Sequence, residues 1–124
     1  MVCRGVRGAT SVEENSERGI IDATSTLLER MVSANGIKVE DIASVVFTAT
    51  SDLDAAYPAL SARGAGWTAT PLLCTQEMSV RGSLPRCVRV LILWNTDTPI
   101  DQVTHVYLGA ATALRPDLAR KEEK

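Results

Sequence analysis

Arg89 stands inside Cys87-Val88-Arg89-Val90-Leu91-Ile92-Leu93-Trp94, a run that is otherwise apolar. So apolar and β-branched a run predicts a strand buried on both faces. A guanidinium there keeps its proton, and an unpaired buried cation is costly. It needs a permanent anionic partner or an anionic ligand. Arg7, in Arg4-Gly5-Val6-Arg7-Gly8-Ala9, is a second candidate. Glu77 follows the segment Leu72 to Thr75. By pattern it is a solvent-facing loop carboxylate, the partner of Arg89, or an acceptor for a substrate hydroxyl. Tyr107 alternates with Val106 and Leu108, as core and interface residues do. Arg63 and Arg115 look like ordinary surface cations. His105, between Thr104 and Val106, is expected to be structural or superficial. Cys74, beside Leu73, is expected to be an inert buried thiol, with no activating neighbour in sequence. There is no Ser-His-Asp order, no Gly-rich phosphate loop and no supported Cys-His pair. One histidine and no ligand spacing argue against a dedicated metal site.

The elements that must hold these residues are legible in outline. Residues 2–12 predict a strand. Asn15 or Ser16 predicts the N-cap of an amphipathic helix over 16–34, with Ser11 and Glu14 a weaker rival start. Its apolar face is Ile20, Ile21, Thr24, Leu27, Leu28 and Met31. Asn35-Gly36 predicts a left-handed stop. A helical turn follows at 39–42, then a strand at 43–50. Residues 57–63 predict a short helix with Pro58 in its first turn. Strands are expected at 71–75, 86–95 and 103–108, with a turn near Gly82-Ser83. The order is β-α-β and then three strands: an α+β fold, a five-stranded mixed sheet with one long helix. The end, from about 116, is too charged to pack and is expected to be a mobile tail.

The chain has 124 residues, 45% of them apolar, enough for one domain spanning 1–124 with a real core. Aromatics are 4% and the net charge is −2, which argue against nucleic-acid binding. Three cysteines at unpaired spacing suggest a reducing compartment. No apolar run is long enough to span a membrane, and no signal segment opens the chain, so a cytoplasmic location is expected. One helix covers only one face of five strands. The other face must be buried somewhere, and self-association into a dimer or trimer is the simplest means.

Taken together and in order, the segments resemble the monofunctional chorismate mutases of the AroH class. The matching segments are Arg4 to Glu13, Thr48 to Leu53, Tyr57-Pro58-Ala59 with Arg63, Gly66-Trp67 and Pro71 to Met78. Cys87 to Val90, Asn95-Thr96-Asp97, His105 to Leu108 and Leu114 to Leu118 complete the series. The resemblance implies a homotrimer of pseudo-α/β-barrel type, with active sites in clefts between subunits. It implies conversion of chorismate to prephenate, at the branch toward phenylalanine and tyrosine, without a cofactor. By the same resemblance Arg89 would contact a carboxylate and the ether oxygen, and Arg7 and Tyr107 would bind a carboxylate. Glu77 and Cys74 would hold the ring hydroxyl. Tyr57, Ala59, Leu73 and Leu114 would line the pocket, with Arg63 and Arg115 near its mouth. Because the pocket-matching Leu114-Arg115-Pro116 leads into the charged end, the tail is expected to close over the site when substrate binds. Tyr57, Leu60 and Leu73 depart from the familiar pattern at the rim. Two rivals are a non-catalytic trimeric binder of a small carboxylate metabolite and an imine or enamine deaminase of similar shape.

Overall fold

A computed structural model describes residues 1–114. Strand β1 (Val2–Ser11) leads to helix α1 (Glu17–Asn35), and a 3₁₀ turn (Val39–Asp41) leads to β2 (Ile42–Ala49). A short helix α2 (Leu60–Gly64), β3 (Leu72–Gln76) and β4 (Cys87–Thr96) follow. A 3₁₀ turn (Ile100–Gln102), β5 (Val106–Leu108) and a last 3₁₀ segment (Gly109–Ala113) complete the order. The sheet runs β3-β2-β4-β1-β5. Strand β4 is central and antiparallel to both neighbours, while the β1–β5 and β2–β3 pairs are parallel. This is the mixed α+β sheet expected from the sequence. Arg115 and the expected tail lie outside the described residues.

Helix α1 begins and ends on local signals. Ser16 caps it, its hydroxyl accepting the Gly19 N–H at 3.0 Å, and Glu17 meets the positive end of the helix dipole. Gly36 stops it at φ 69°, where a side chain would be strained. The rival start at Ser11 does not form. Asn15 instead ties a distant loop, accepting the N–H groups of Asp54 and Ala55. Ile20, Leu27, Leu28 and Met31 are buried against Val6, Val45, Phe47, Val88 and Ile92 of the sheet. Burial of each such side chain stabilises by about 1.5–3 kcal/mol. Gly8 allows the close approach of helix to sheet: a Cβ there would run into the Met31 sulfur.

Three expectations need correction. Helix α2 starts at Leu60, three residues late. Leu60 N–H bonds to Tyr57 O and Ser61 N–H to Pro58 O, so Pro58 sits in a tighter i→i+3 turn ahead of the helix. The fifth strand is only Val106–Leu108. The Asn35 side-chain amide donates to Thr104 O and accepts Thr104 N–H, both at 2.8 Å, and so removes Thr104 from the ladder. Strand β4 is not buried on both faces within one protomer. Val88, Val90, Ile92 and Trp94 are buried under the helix layer, but on the opposite face Leu91 is 36% exposed and the Arg89 side chain 44%. One helix covers one face, and the other stays open.

Thr24 faces the core from α1, and its hydroxyl is fully buried without a hydrogen-bond partner. An unsatisfied buried hydroxyl is a standing cost. Thr24→Val should therefore stabilise the protein by about 1 kcal/mol. The check is a denaturant midpoint that rises at constant m-value, measured at matched protein concentration.

Candidate active site

Strand register assembles the site on the open face. Adjacent strands pair Tyr107 with Ala9, Ala9 with Arg89, Arg89 with Thr48, and Thr48 with Thr75. One row of residues thus crosses all five strands. The row two residues along pairs Arg7 with Leu91, Leu91 with Val46, and Val46 with Leu73. The first row carries polar groups, and the second is apolar apart from Arg7. Alternation along each strand puts both rows on one face.

Glu77 lies just beyond β3, and its N–H bonds to Ala49 O at 2.9 Å, which continues the ladder by one residue. Its Oε1 accepts the Thr48 hydroxyl at 2.7 Å and lies 3.1 Å from Arg89 Nε. This is the anionic partner expected for Arg89, although the pair is half-open to solvent rather than enclosed. The contact uses Nε and leaves N–H donors on the terminal nitrogens for an incoming anion. Glu77 Oε2 remains an acceptor. Arg7, Thr48, Glu77, Arg89 and Tyr107 line a cleft of about 280 Å³ floored by Ala9 and Leu91. Tyr107 is buried and packs with Ala9, Cys87 and Ala111, and Leu114 joins that cluster.

The remaining expected residues lie elsewhere. Tyr57, Ala59, Arg63, Leu73 and Cys74 line a second cleft of about 260 Å³ at the β3 edge. Tyr57 is 71% exposed and Leu73 60%. Leu73 and Arg7 belong to one row but stand three strands apart, roughly 14 Å. Cys74 pairs with Phe47 and packs on the helix side, so within one chain it does not share the Glu77 cleft. It is half-buried rather than buried, and all three thiols are free. Burial pushes the Cys87 thiol up despite the nearby Arg89 cation, so it is an inert packing group. Among the described residues no cluster of three or more His, Cys, Asp or Glu could hold a metal ion, and no helix is long and apolar enough to cross a membrane.

Sequence reasoning missed the groups that hold the site in place. Thr48 is by pattern an ordinary strand residue, and its opposition to Arg89 needs the register. Asp52 follows the strand expected at 43–50 with no role visible in the sequence, yet its carboxylate accepts Arg86 N–H at 3.0 Å and the Thr50 hydroxyl. Thr50 Oγ1 in turn accepts Cys87 N–H at 3.0 Å. Arg86 is left-handed at φ 46°, a strained setting for a side-chain-bearing residue, and its Nε donates to Val12 O at 3.1 Å. This knot joins the ends of β1, β2 and β4, three residues from Arg89.

The sequence profile of the family described as chorismate mutase type I matches residues 3–118. The chain belongs to that family. Chorismate mutase AroH of Thermus thermophilus is 55% identical over 116 residues, 93% of this chain and 95% of that protein. Chorismate mutase AroH of Bacillus subtilis (strain 168) is 45% identical over 120 residues, 96% of this chain and 94% of that protein. A solved chorismate mutase from Clostridium thermocellum has a TM-score of 0.87 and 46% identity, covering 88% of this chain and 97% of that one.

The Thr50 hydroxyl above all holds the Asp52 carboxyl below its ordinary value; desolvation opposes it in part, and the Arg86 backbone N–H adds to the lowering. A lowered folded pKa contributes stability that is present above the unfolded carboxyl value, near pH 4, and is lost as pH falls through the folded one. Asp52→Asn should therefore be modestly less stable than the parent at pH 7, and the gap should close below about pH 4. Unfolding midpoints at the two pH values check this. A gap that widens in acid would contradict it.

Proposed function

We infer that this chain catalyses the rearrangement of chorismate to prephenate, toward phenylalanine and tyrosine. Its membership of the family supports this, and so does one observation above the others: Arg89 is held through Nε by Glu77, beside Arg7, in an open-face cleft. The reaction is an intramolecular isomerisation. An ether C–O bond breaks while a C–C bond forms, with no nucleophile and no proton transfer. Catalysis then consists of two tasks. The flexible dicarboxylate must be held in its compact reactive shape, and guanidinium groups on Arg7 and Arg89 suit its two carboxylates. Negative charge building on the ether oxygen must be stabilised, and a guanidinium fixed in advance by Glu77 and Thr48 does this without reorganising. Tyr107 would assist Arg7, and Glu77 Oε2 would accept the ring hydroxyl. A plain carboxylate binder has little use for a further acceptor, Glu77 Oε2, beside its cation.

The two clefts of one chain are halves of a site. A head-to-tail ring of three copies would set the β3-edge cleft of one subunit against the open-face cleft of the next. Tyr57, Ala59, Arg63, Leu73 and Cys74 would then close over a substrate anchored by Arg7, Glu77, Arg89 and Tyr107. The apolar row Leu91, Val46 and Leu73 supplies surface for that contact. Leu114 packs beside Tyr107 and would complete the wall.

Arg89→Ala should cost at least about 4 kcal/mol in transition-state stabilisation, roughly a thousandfold in kcat/KM. Arg89→Lys should also be poor, because a point charge on a flexible stem cannot reproduce the fork. The loss of chorismate absorbance measures both, and near-normal turnover by either folded variant would refute the assignment.

The shared site has its own test. Arg7→Ala and Arg63→Ala should each be weak as pure proteins. Co-expressed in equal amounts, they should recover about a quarter of the parent activity, because one interface in four pairs two intact halves. No recovery in mixed assemblies would place the whole site within one chain.

A further inference from the structure

We propose that His105 is a positioning residue for Arg7, acting through the Arg7 backbone; the inference rests on the reading of Arg7 as a carboxylate-binding group. Arg7 N–H donates to His105 Nδ1 at 2.9 Å. Strand β5 pairs with β1 from Gly8 onward, through Val106. One residue earlier, the edge of β1 meets a side chain in place of a strand. The reason lies in the preceding residue. Thr104 gives both its N–H and its C=O to the Asn35 side chain at the end of α1. That contact draws the chain away from β1, and the imidazole bridges the space that opens.

The placement bears on Arg7 specifically. On its other side Arg7 stands opposite Leu91 of β4, and because its N–H turns toward His105, that pair is a non-hydrogen-bonded one whose ladder bonds are made by the flanking residues. Glycines at 5 and 8 leave the surrounding backbone permissive. The imidazole is what continues the edge support from Gly8 to Arg7. As an acceptor at Nδ1 the ring carries its proton on Nε2. Losing the acceptor would leave the fold intact, since water can reach this edge, but would widen the range of directions open to the guanidinium. A group that binds carboxylate in ground state and transition state alike transmits such a loss to KM rather than to kcat.

Steady-state kinetics with chorismate on the full chain decide the matter. Arg7→Ala should raise KM; an unchanged KM overturns the reading of Arg7 and this proposal with it. His105→Phe keeps a ring and removes the acceptor, so KM should rise about tenfold while kcat falls less than about threefold. His105→Asn puts Oδ1 where Nδ1 stands and should restore KM. His105→Gln, whose carbonyl lies one methylene further out, should not. In an Arg7→Ala background His105→Phe should add little to KM, because its effect runs through Arg7. An unchanged KM in His105→Phe overturns the proposal, as does equal KM in the Asn and Gln variants or full additivity with Arg7→Ala. With KM raised in Arg7→Ala, each of those three results leaves the reading of Arg7 standing. If His105→Phe does not fold, the contrast between Asn and Gln decides alone.

Discussion

A sheet of five strands with one long helix has a face it cannot cover. Helix α1 buries Val6, Val45, Phe47, Val88 and Ile92, and that packing supplies the core. The opposite face keeps Leu91 and Arg89 in contact with solvent. On this uncovered face charged groups can stand on the rigid centre of a sheet without the cost of a dry interior. Strand β4 gains most from the arrangement. It is hydrogen-bonded on both sides, so Arg89 springs from a strand held by a ladder at each edge.

The Arg89–Glu77 contact contributes little to the stability of a single protomer. Both groups are reached by water, and exposed ion pairs stabilise by about 0–1 kcal/mol. Its value is geometric. Thr48 fixes Glu77 and Glu77 fixes Nε, so on the proposed reading the guanidinium would meet its substrate already oriented. Closure of the cleft by another copy would lower the local dielectric and strengthen each of these interactions at the moment of use. The same contacts that are weak in the protomer would then act as a preorganised electrostatic site.

The parts of the fold legible in the sequence are those fixed by neighbours along the chain. Ser16 and Gly36 set the ends of α1 by local hydrogen bonding and local conformation. Arg89 announced itself because a cation in an apolar run carries a physical cost. The parts that were not legible depend on residues far apart. Thr48 meets Glu77 across 29 positions, and Asn35 shortens β5 across 69. Tyr57 and Cys74 were grouped with Glu77 by family resemblance, while a single chain places them in another cleft. The double burial expected of β4 failed in the protomer because periodicity records which residues are apolar, not how many layers cover them.

Asn35 is followed by Gly36, the neighbour that least hinders attack of a backbone nitrogen on an asparagine side chain, the route by which asparagine slowly loses its amide. Folding opposes that chemistry. The amide donates to Met31 O and Thr104 O and accepts Thr104 N–H, while Gly36 N–H is engaged with Val32 O. In the unfolded chain those restraints vanish. A molecule that has aged there refolds with a carboxylate facing two carbonyl oxygens where a donor used to be. The seam between α1 and the approach to β5 loosens, and a record of time spent unfolded is carried to the edge of the site.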